Sequence, residues 1–479
     1  MRKVIHDEEL KRYILLNAME PVREYFNATT LVDHQIHSFN FFVSHLLQQI
    51  IDESDSIVCN RHDDECTIRF KAVSLDKVNH TESNGQQLHI TPHEARLRNL
   101  TYSANLYVDI EIKHNDETKL YERCELGKLP IMVRSDYCRL VNTPLEQSNE
   151  CSKDPGGYFI VSGTEKVIVS HEKMNNNCVY VFDKQKTKIV YEAEMRSVYE
   201  DSMRSTSTLK LLLLKSGVGE YKLIAQAPFL KSDIPALMLF DLLGFSADDF
   251  AEYWNRDGKV QNVLYYSKQH RDQELKDQSV RDYIATKISL RDGAIDAALH
   301  KYFLPHVAEF SRKAHMYAYM IQQILDCFIG IRAVDDRDHF KNKRIDLPGN
   351  LLCGLFRQIF KKVSRDFAST VQKTFEQHGT ISVVSALKPK YITNGLKYAL
   401  ATGNWGTNTA IGIRSGVAQV LNRQSYLSTL SHLRRVASPV GKDGKLTAPR
   451  LLHGSQAFRI CPCETPEGQG CGLTKNLAL

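Results

Sequence analysis

From Pro348 onward the chain places large apolar side chains at Leu355, Phe356, Ile359, Phe360, Val363, Phe367 and Val371, with Lys and Arg between them. This is the roughly 3.6-residue period of a long helix with one apolar face. Such a helix draws most of its stability from packing that face, so the fold must supply a matching surface. Upstream the pattern changes. From Ile57 to Val190 short alternating runs dominate, at Thr67–Phe70, Leu106–Ile112, Tyr158–Val161, Lys166–Val169 and Cys178–Phe182, separated by Gly and Pro. Period-two runs of this length read as strands, and Asp154-Pro155-Gly156-Gly157 reads as a turn between two of them. A further helix is predicted over 31–49, with Leu31, Ile36, Phe39, Phe42 and Leu46 or Leu47 at helical spacing. From Tyr191 to about Lys343 strands around Thr208–Leu214 give way to helices at Ile234–Leu243 and Ala314–Ile329. Thr393 is placed as the N-cap of a helix over 394–401 that ends at Gly403. The sum is an α+β, multi-domain chain.

The 479 residues fit roughly three domains of about 150 residues each. A composition 42% hydrophobic and 25% charged is that of a folded soluble protein. No apolar run approaches the roughly 18 residues that span a bilayer. The N-terminus lacks the apolar core of a secretory signal, so an intracellular, non-secreted protein is expected. Eleven cysteines, an odd number spread along the chain, fit reduced thiols better than a disulfide framework. Cys59, His62 and Cys66 form one potential metal set and Cys461, Cys463 and Cys471 another. The first has no second ligand pair nearby, and the second has a tight first pair and no close fourth ligand, so no metal is expected at either.

Charge is concentrated at the end. Residues 404–479 hold nine Lys or Arg against three Asp or Glu, an excess of +6 that equals the net charge of the whole chain. A glycine-punctuated basic stretch can hold a polyanion, and it can equally be a solvated surface. Asp335, Asp336 and Asp338 alternate with Arg337 and His339, a pattern of internal ion pairing and capping more than of metal binding or acid/base work. No phosphate-loop, dinucleotide, zinc-protease or nucleophile-elbow motif occurs, and no self-contained catalytic constellation is present.

Several longer segments carry a family resemblance. Gly395-Leu-Lys-Tyr-Ala-Leu-Ala-Thr-Gly-Asn-Trp-Gly406, Gly416-Val-Ala-Gln-Val-Leu-Asn-Arg423, Leu430-Ser-His-Leu-Arg-Arg435 and Cys461-Pro-Cys-Glu-Thr-Pro-Glu-Gly468 resemble the second-largest, beta-type subunit of multisubunit DNA-directed RNA polymerases. Upstream, Thr91–Tyr102, Gly127–Arg134, Gly163–Val169 and Asp335–Phe340 resemble it in the same order. The form is eukaryotic, archaeal or large-DNA-virus rather than bacterial, and the likeness is to about the N-terminal half of that subunit.

The resemblance implies a protrusion over 1–189 and 346–403, an inserted lobe over 190–345 and a fork over 404–479. It implies one side of the channel that holds template DNA and the RNA–DNA hybrid, inactive by itself. The largest subunit, the C-terminal half of the second subunit and other polymerase subunits would be its partners, with no membrane. Magnesium would be bound by the largest subunit and not by this chain. The cell compartment would be nucleus or cytoplasm, or the virion or host cytoplasm for a viral chain.

Gln419 and Arg435 are the implied RNA contacts, a ribose hydroxyl suiting the amide and phosphate oxygens the guanidinium. Arg423, Arg434, Lys442 and Lys445 are further candidates for nucleic acid, and His432 and Arg434 are equally open to a packing role. Arg414 stands in a first fork loop, 406–416, that lacks the lysines of many relatives. Lys442 and Lys445 lie in the second loop, 440–447. Arg450 and Glu467 are the implied ion pair supporting the active centre. The alternative reading is a stand-alone nucleic-acid-binding or regulatory protein derived from that subunit.

Overall fold

The computed structural model describes residues 20, 24–25, 29–61, 64–82, 84–114, 117–142, 149–184, 188–199, 206–254, 257–276, 278–288, 295–378, 383–406, 415–444 and 446–479. The chain divides into two compact units, Met1–Lys173 with Ile345–Leu479, and Met174–Arg344. The second is thus inserted into the first, and each mixes helices with sheets, an α+β architecture. The strand Val179–Asp183 pairs along its length with Ile189–Ser197, which draws it into the second unit. The division between the two compact units therefore falls after Lys173. Residues 404–479 form no compact unit of their own but belong to the first.

In the first unit a four-stranded antiparallel sheet runs in the order Ile57–Arg61, Asp64–Leu75, Ser103–His114, Glu117–Pro130. Alternation along the third strand buries Ala104, Leu106, Val108, Ile110 and Ile112. Ile112 and Ile110 stand opposite Ile68 and Phe70, so one face is continuous apolar surface. The helix Pro348–His378 lies on that face. Its Phe360 and Phe367 rings sit 5.3 and 5.6 Å from Phe70, and Phe375 sits 5.6 Å from His114. At its start Gly349 allows close approach to the helix Asp33–Phe41. A Cβ there would lie 2.0 Å from the Ser38 carbonyl, and the Gly349 N–H donates to Ser38 Oγ at 2.9 Å.

Two expected helices form differently. The one predicted over 31–49 is Asp33–Phe41, a π-turn Phe42–Leu46 and Leu47–Asp52. The π-turn shifts the ladder by a residue, which lets Leu46, Leu47, Ile50 and Ile51 all reach the core. The one predicted to begin after Thr393 spans Lys390–Thr402 and ends at Gly403, φ +76°. Thr393 is inside it because its hydroxyl has other work, donating to the Pro389 carbonyl at 3.0 Å and accepting from the Lys128 N–H at 2.9 Å.

The basic C-terminal stretch is woven into the first unit by short strands. Ala418–Val420 pairs antiparallel with Thr164–Ile168, which pairs with Phe159–Val161. Arg435–Ala437 pairs parallel with Ser170–Met174 and antiparallel with Thr474–Asn476. A buried ion pair, Lys475 Nζ to Glu172 Oε2 at 2.9 Å, ties two of these strands together.

The second unit is a five-stranded antiparallel sheet, Val179–Asp183, Ile189–Ser197, Ser207–Lys215, Tyr221–Gln226 and Ile234–Pro235 in spatial order. The helix expected over 234–243 is shortened to Met238–Leu243, because Ile234 and Pro235 extend the sheet. Leu209, Leu211 and Leu213 share a core with Ala314, Tyr317 and Ile321 of the helix Phe310–Ile329. Lys313, fully buried, donates to the carbonyls of Leu299 at 2.7 Å, His300 at 3.3 Å and Phe303 at 2.6 Å. It thereby satisfies carbonyls at the end of the helix Ile295–Tyr302. Burial lowers its pKa to about 8.

Candidate nucleic-acid interface

Gln419 sits mid-strand, its backbone in register with Val167. Three residues on, Asn422 folds the chain onto the helix Tyr426–Leu433. Its side-chain oxygen accepts from Gln424 N–H at 2.9 Å and Ser428 Oγ at 3.2 Å, and its carbonyl accepts from Thr429 Oγ1 at 2.7 Å. Ser425 caps the helix in a reciprocal box with Ser428. That arrangement brings His432, only 4% exposed, under the strand. His432 Nδ1 meets the Asn422 N–H at 3.1 Å and Nε2 meets Gln419 Oε1 at 3.0 Å. Burial, then the nearby Arg435 charge, lowers the His432 pKa to about 4, so the ring is neutral near pH 7. Gln419 Nε2 donates to the Gly416 carbonyl at 3.0 Å.

Arg435 begins the strand after that helix and is half-buried. Among the described residues its guanidinium has no hydrogen-bond partner, and burial lowers its pKa, opposed by the charge of Glu464. Gln419, His432 and Arg435 thus form one corner.

The other candidates are placed differently. Arg423 donates through Nε to Glu165 Oε2 at 2.6 Å, through a second nitrogen to Oε1 at 2.9 Å, and through the third to Asp154 Oδ1 at 3.1 Å. It also lies 4.9 Å from the Tyr158 ring centroid. On the far side of Glu165, Arg96 Nε donates to Oε1 at 2.8 Å, and its terminal nitrogens donate to Glu150 at 2.7 Å and Tyr158 Oη at 2.6 Å. The Tyr158 hydroxyl donates in turn to Asp154 Oδ2 at 2.5 Å. Burial pushes the Glu165 carboxyl up, but the hydrogen bonds and charge of Arg423, and then Arg96, hold it below its ordinary value. This network borders a cavity of about 370 Å³ lined also by Lys153, Ser425, Tyr426 and Thr429. Arg423 is therefore matched by carboxylates of the same unit.

Arg434 joins three segments. Its guanidinium donates to the carbonyls of Leu31 at 2.6 Å and Ala478 at 2.7 Å, which is a packing role. Arg450 likewise donates to backbone, to the carbonyls of Gln469 at 2.6 Å, Cys471 at 3.0 Å, Lys442 at 2.8 Å and Gly444 at 3.3 Å. The expected Arg450–Glu467 ion pair is absent: four carbonyls occupy the fork of donors, and Glu467 is exposed ahead of the turn Gly468–Gly470. Gly472, φ +72°, makes this clamp possible, since a Cβ there would lie 2.1 Å from the Arg450 carbonyl. Lys442 is exposed at the tip of the clamped loop. Arg414, Lys445 and His62 lie outside the described residues, as does most of the loop 406–416.

Cys59 and Cys66 face each other across a strand pair, both buried, and burial raises both thiols, Cys66 to about 11. Among the described residues no three His, Cys, Asp or Glu side chains form a group that could hold a metal ion. Asp335 accepts from the Val181 N–H and from Arg332, both at 2.8 Å, while His339 caps the turn Phe340–Asn342. Sequence reasoning assigned no role to Arg96 or Glu165, although both stand inside the segments that carry the family resemblance. Their pairing joins residues 69 positions apart in the sequence, and no local pattern signals it.

The chain is a multi-unit α+β protein whose basic terminal stretch is part of its larger unit. It belongs to the RNA polymerase beta subunit family, whose sequence model matches residues 30–394, and a second model, RNA polymerase Rpb2, domain 3, matches residues 419–479. It is 41% identical to DNA-directed RNA polymerase II subunit 2 of Arabidopsis thaliana, over 99% of this chain and 44% of that protein. It is 35% identical to DNA-directed RNA polymerase subunit Rpo2 of Saccharolobus solfataricus, over 96% of this chain and 41% of that protein. Against subunit Rpo2N of Methanothermobacter thermautotrophicus identity is 34%, over 96% of this chain and 93% of that protein. The chain spans less than half the length of the first two relatives.

Proposed function

We propose that the chain supplies the protrusion, lobe and fork of a DNA-directed RNA polymerase second-largest subunit, and so one side of the channel for template DNA and the RNA–DNA hybrid. The observation that carries this reading is the match to second subunits along 96–99% of the chain. In it, residues 1–189 and 346–403 are the protrusion, 190–345 the lobe and 404–479 the fork. Gln419 and Arg435 contact the RNA, and Lys442 faces phosphates from its loop. Such contacts hold the nucleic acid in position without reading its sequence, as translocation along any template requires.

The largest subunit and the remaining part of a second subunit complete the channel. The archaeal subunit Rpo2N matches this chain along 93% of its own length, which supports the reading of this stretch as a second-subunit segment. Magnesium held by the largest subunit supplies the charge neutralisation for nucleotidyl transfer. This chain binds and orients nucleic acid, inside the cell.

Affinity purification of the tagged chain from its native source is expected to recover a largest polymerase subunit. Recovery of the chain alone, as a monomer, would refute the reading.

A further inference from the structure

Two backbone groups of unambiguous chemistry bracket Gln419 and His432. The Asn422 N–H can only donate, so His432 Nδ1 accepts and, in the neutral ring, Nε2 carries the hydrogen. The atom of Gln419 that faces Nε2 at 3.0 Å must then be its oxygen. The Gly416 carbonyl can only accept, which independently assigns the nitrogen of the same amide to the other side at 3.0 Å. The amide is thereby held in one sense, with an N–H that has no partner among the described residues. Protonation would undo the logic by making Nδ1 a donor against the Asn422 N–H. Burial and the Arg435 charge oppose it.

We infer that His432 is a positioning residue that locks Gln419 as a hydrogen-bond donor toward an oxygen of the RNA ribose–phosphate backbone. This rests on the proposed RNA contact of Gln419. The chain of contacts runs from backbone to ring to amide to ligand. His432 itself, buried under the strand, touches no RNA.

Two substitutions separate the roles of the ring. In His432→Gln the side-chain amide reaches the Nε2 position and can donate to Gln419, whereas in His432→Asn it reaches only the Nδ1 position and can accept from Asn422. Elongation complexes assembled with these chains are challenged at raised salt, and the half-life of RNA release is read. Gln419→Ala and His432→Asn are each expected to shorten it about 3- to 10-fold, the worth of one hydrogen bond, and His432→Gln to stay within about twofold of wild type. Adding His432→Asn to Gln419→Ala is expected to change nothing further. Placing a single deoxynucleotide near the RNA 3′ end identifies the oxygen. If Gln419→Ala then has no effect the acceptor is the 2′-hydroxyl, and if its effect persists the acceptor is a phosphate oxygen.

A merely structural histidine predicts the reverse order, with Asn equal to or better than Gln, because Asn keeps the Asn422 bond that pins the loop. That order, or additive effects of the two substitutions, would overturn the inference while leaving the RNA contact standing. An unchanged half-life in Gln419→Ala would remove the RNA contact and the inference with it.

Discussion

Arg423 and Arg435 lie 12 positions apart in one basic stretch and have opposite fates. Arg423 donates to two carboxylates and completes a network with Arg96 and Tyr158. Arg435 has no hydrogen-bond partner among the described residues: a neutral histidine and an amide stand beside it, and the charge of Glu464 acts on it without a hydrogen bond. Arg434 and Arg450 have an intermediate fate, satisfied by backbone carbonyls in place of carboxylates. The lesson is that formal charge overstates what a basic segment offers a polyanion. Cations already matched within the fold add little to outward attraction, and an unmatched one in a partly dry setting adds most.

The comparison can be broken at its structural end first. Gly472→Ala is expected to destabilise the chain by about 3 kcal/mol, because a Cβ 2.1 Å from the Arg450 carbonyl, at positive φ, forces the clamp apart. The urea midpoint and protease sensitivity of 440–472 measure this, and a wild-type midpoint would refute the clamp. Arg423→Met is expected to cost about 2 kcal/mol by leaving Asp154 without its cation and Glu165 with Arg96 alone, a value reduced from that of a deeply buried pair because the arginine is 39% exposed. A midpoint shift no larger than that of a surface substitution would show that the network is ornamental.

Acid is expected to weaken the same region in a defined window. The pKa of His432 falls from 6.5 to about 4 on folding, so between those values the unfolded chain binds more protons and stability falls as pH drops. The contribution is complete above about pH 6.5. The depressed carboxyl of Glu165 adds loss on the same acidic side. Urea unfolding across pH 4–7 should show His432→Gln with a shallower slope than wild type, and identical slopes would contradict the buried neutral ring. The smallest effect on folding belongs to Arg435→Ala, within about 0.5 kcal/mol. The same change is expected to make the elongation complex more sensitive to salt, and an unchanged lifetime at raised salt would count against an RNA contact.

Local pattern made the elements legible where burial is periodic. The apolar stripe from Leu355 to Val371 lies within the helix Pro348–His378, and alternation at Leu106–Ile112 lies within the strand Ser103–His114. It failed where a side chain's partner is chosen by folded geometry and not by residue type or spacing. Thr393 looked like a cap because its hydroxyl is the right group, yet its partners are Pro389 and the distant Lys128. Arg450 and Glu467 looked like an ion pair because their charges are opposite, yet nearby carbonyls hold the arginine.

By itself, then, the sequence determined the periodicities, the mixed α+β class, the family and the concentration of charge beyond residue 404, because these are properties of order along the chain. Which cations are matched within the fold and which are not was decided by strand pairings between 418–420 and 164–168 and between 435–437 and 170–174. Those pairings bring the Glu165 carboxylate to hydrogen-bond distance of Arg423, 258 positions away, and set Gln419 over the His432 ring. At that range the strength and sense of an electrostatic contact depend on geometry and burial, which no spacing in the sequence encodes.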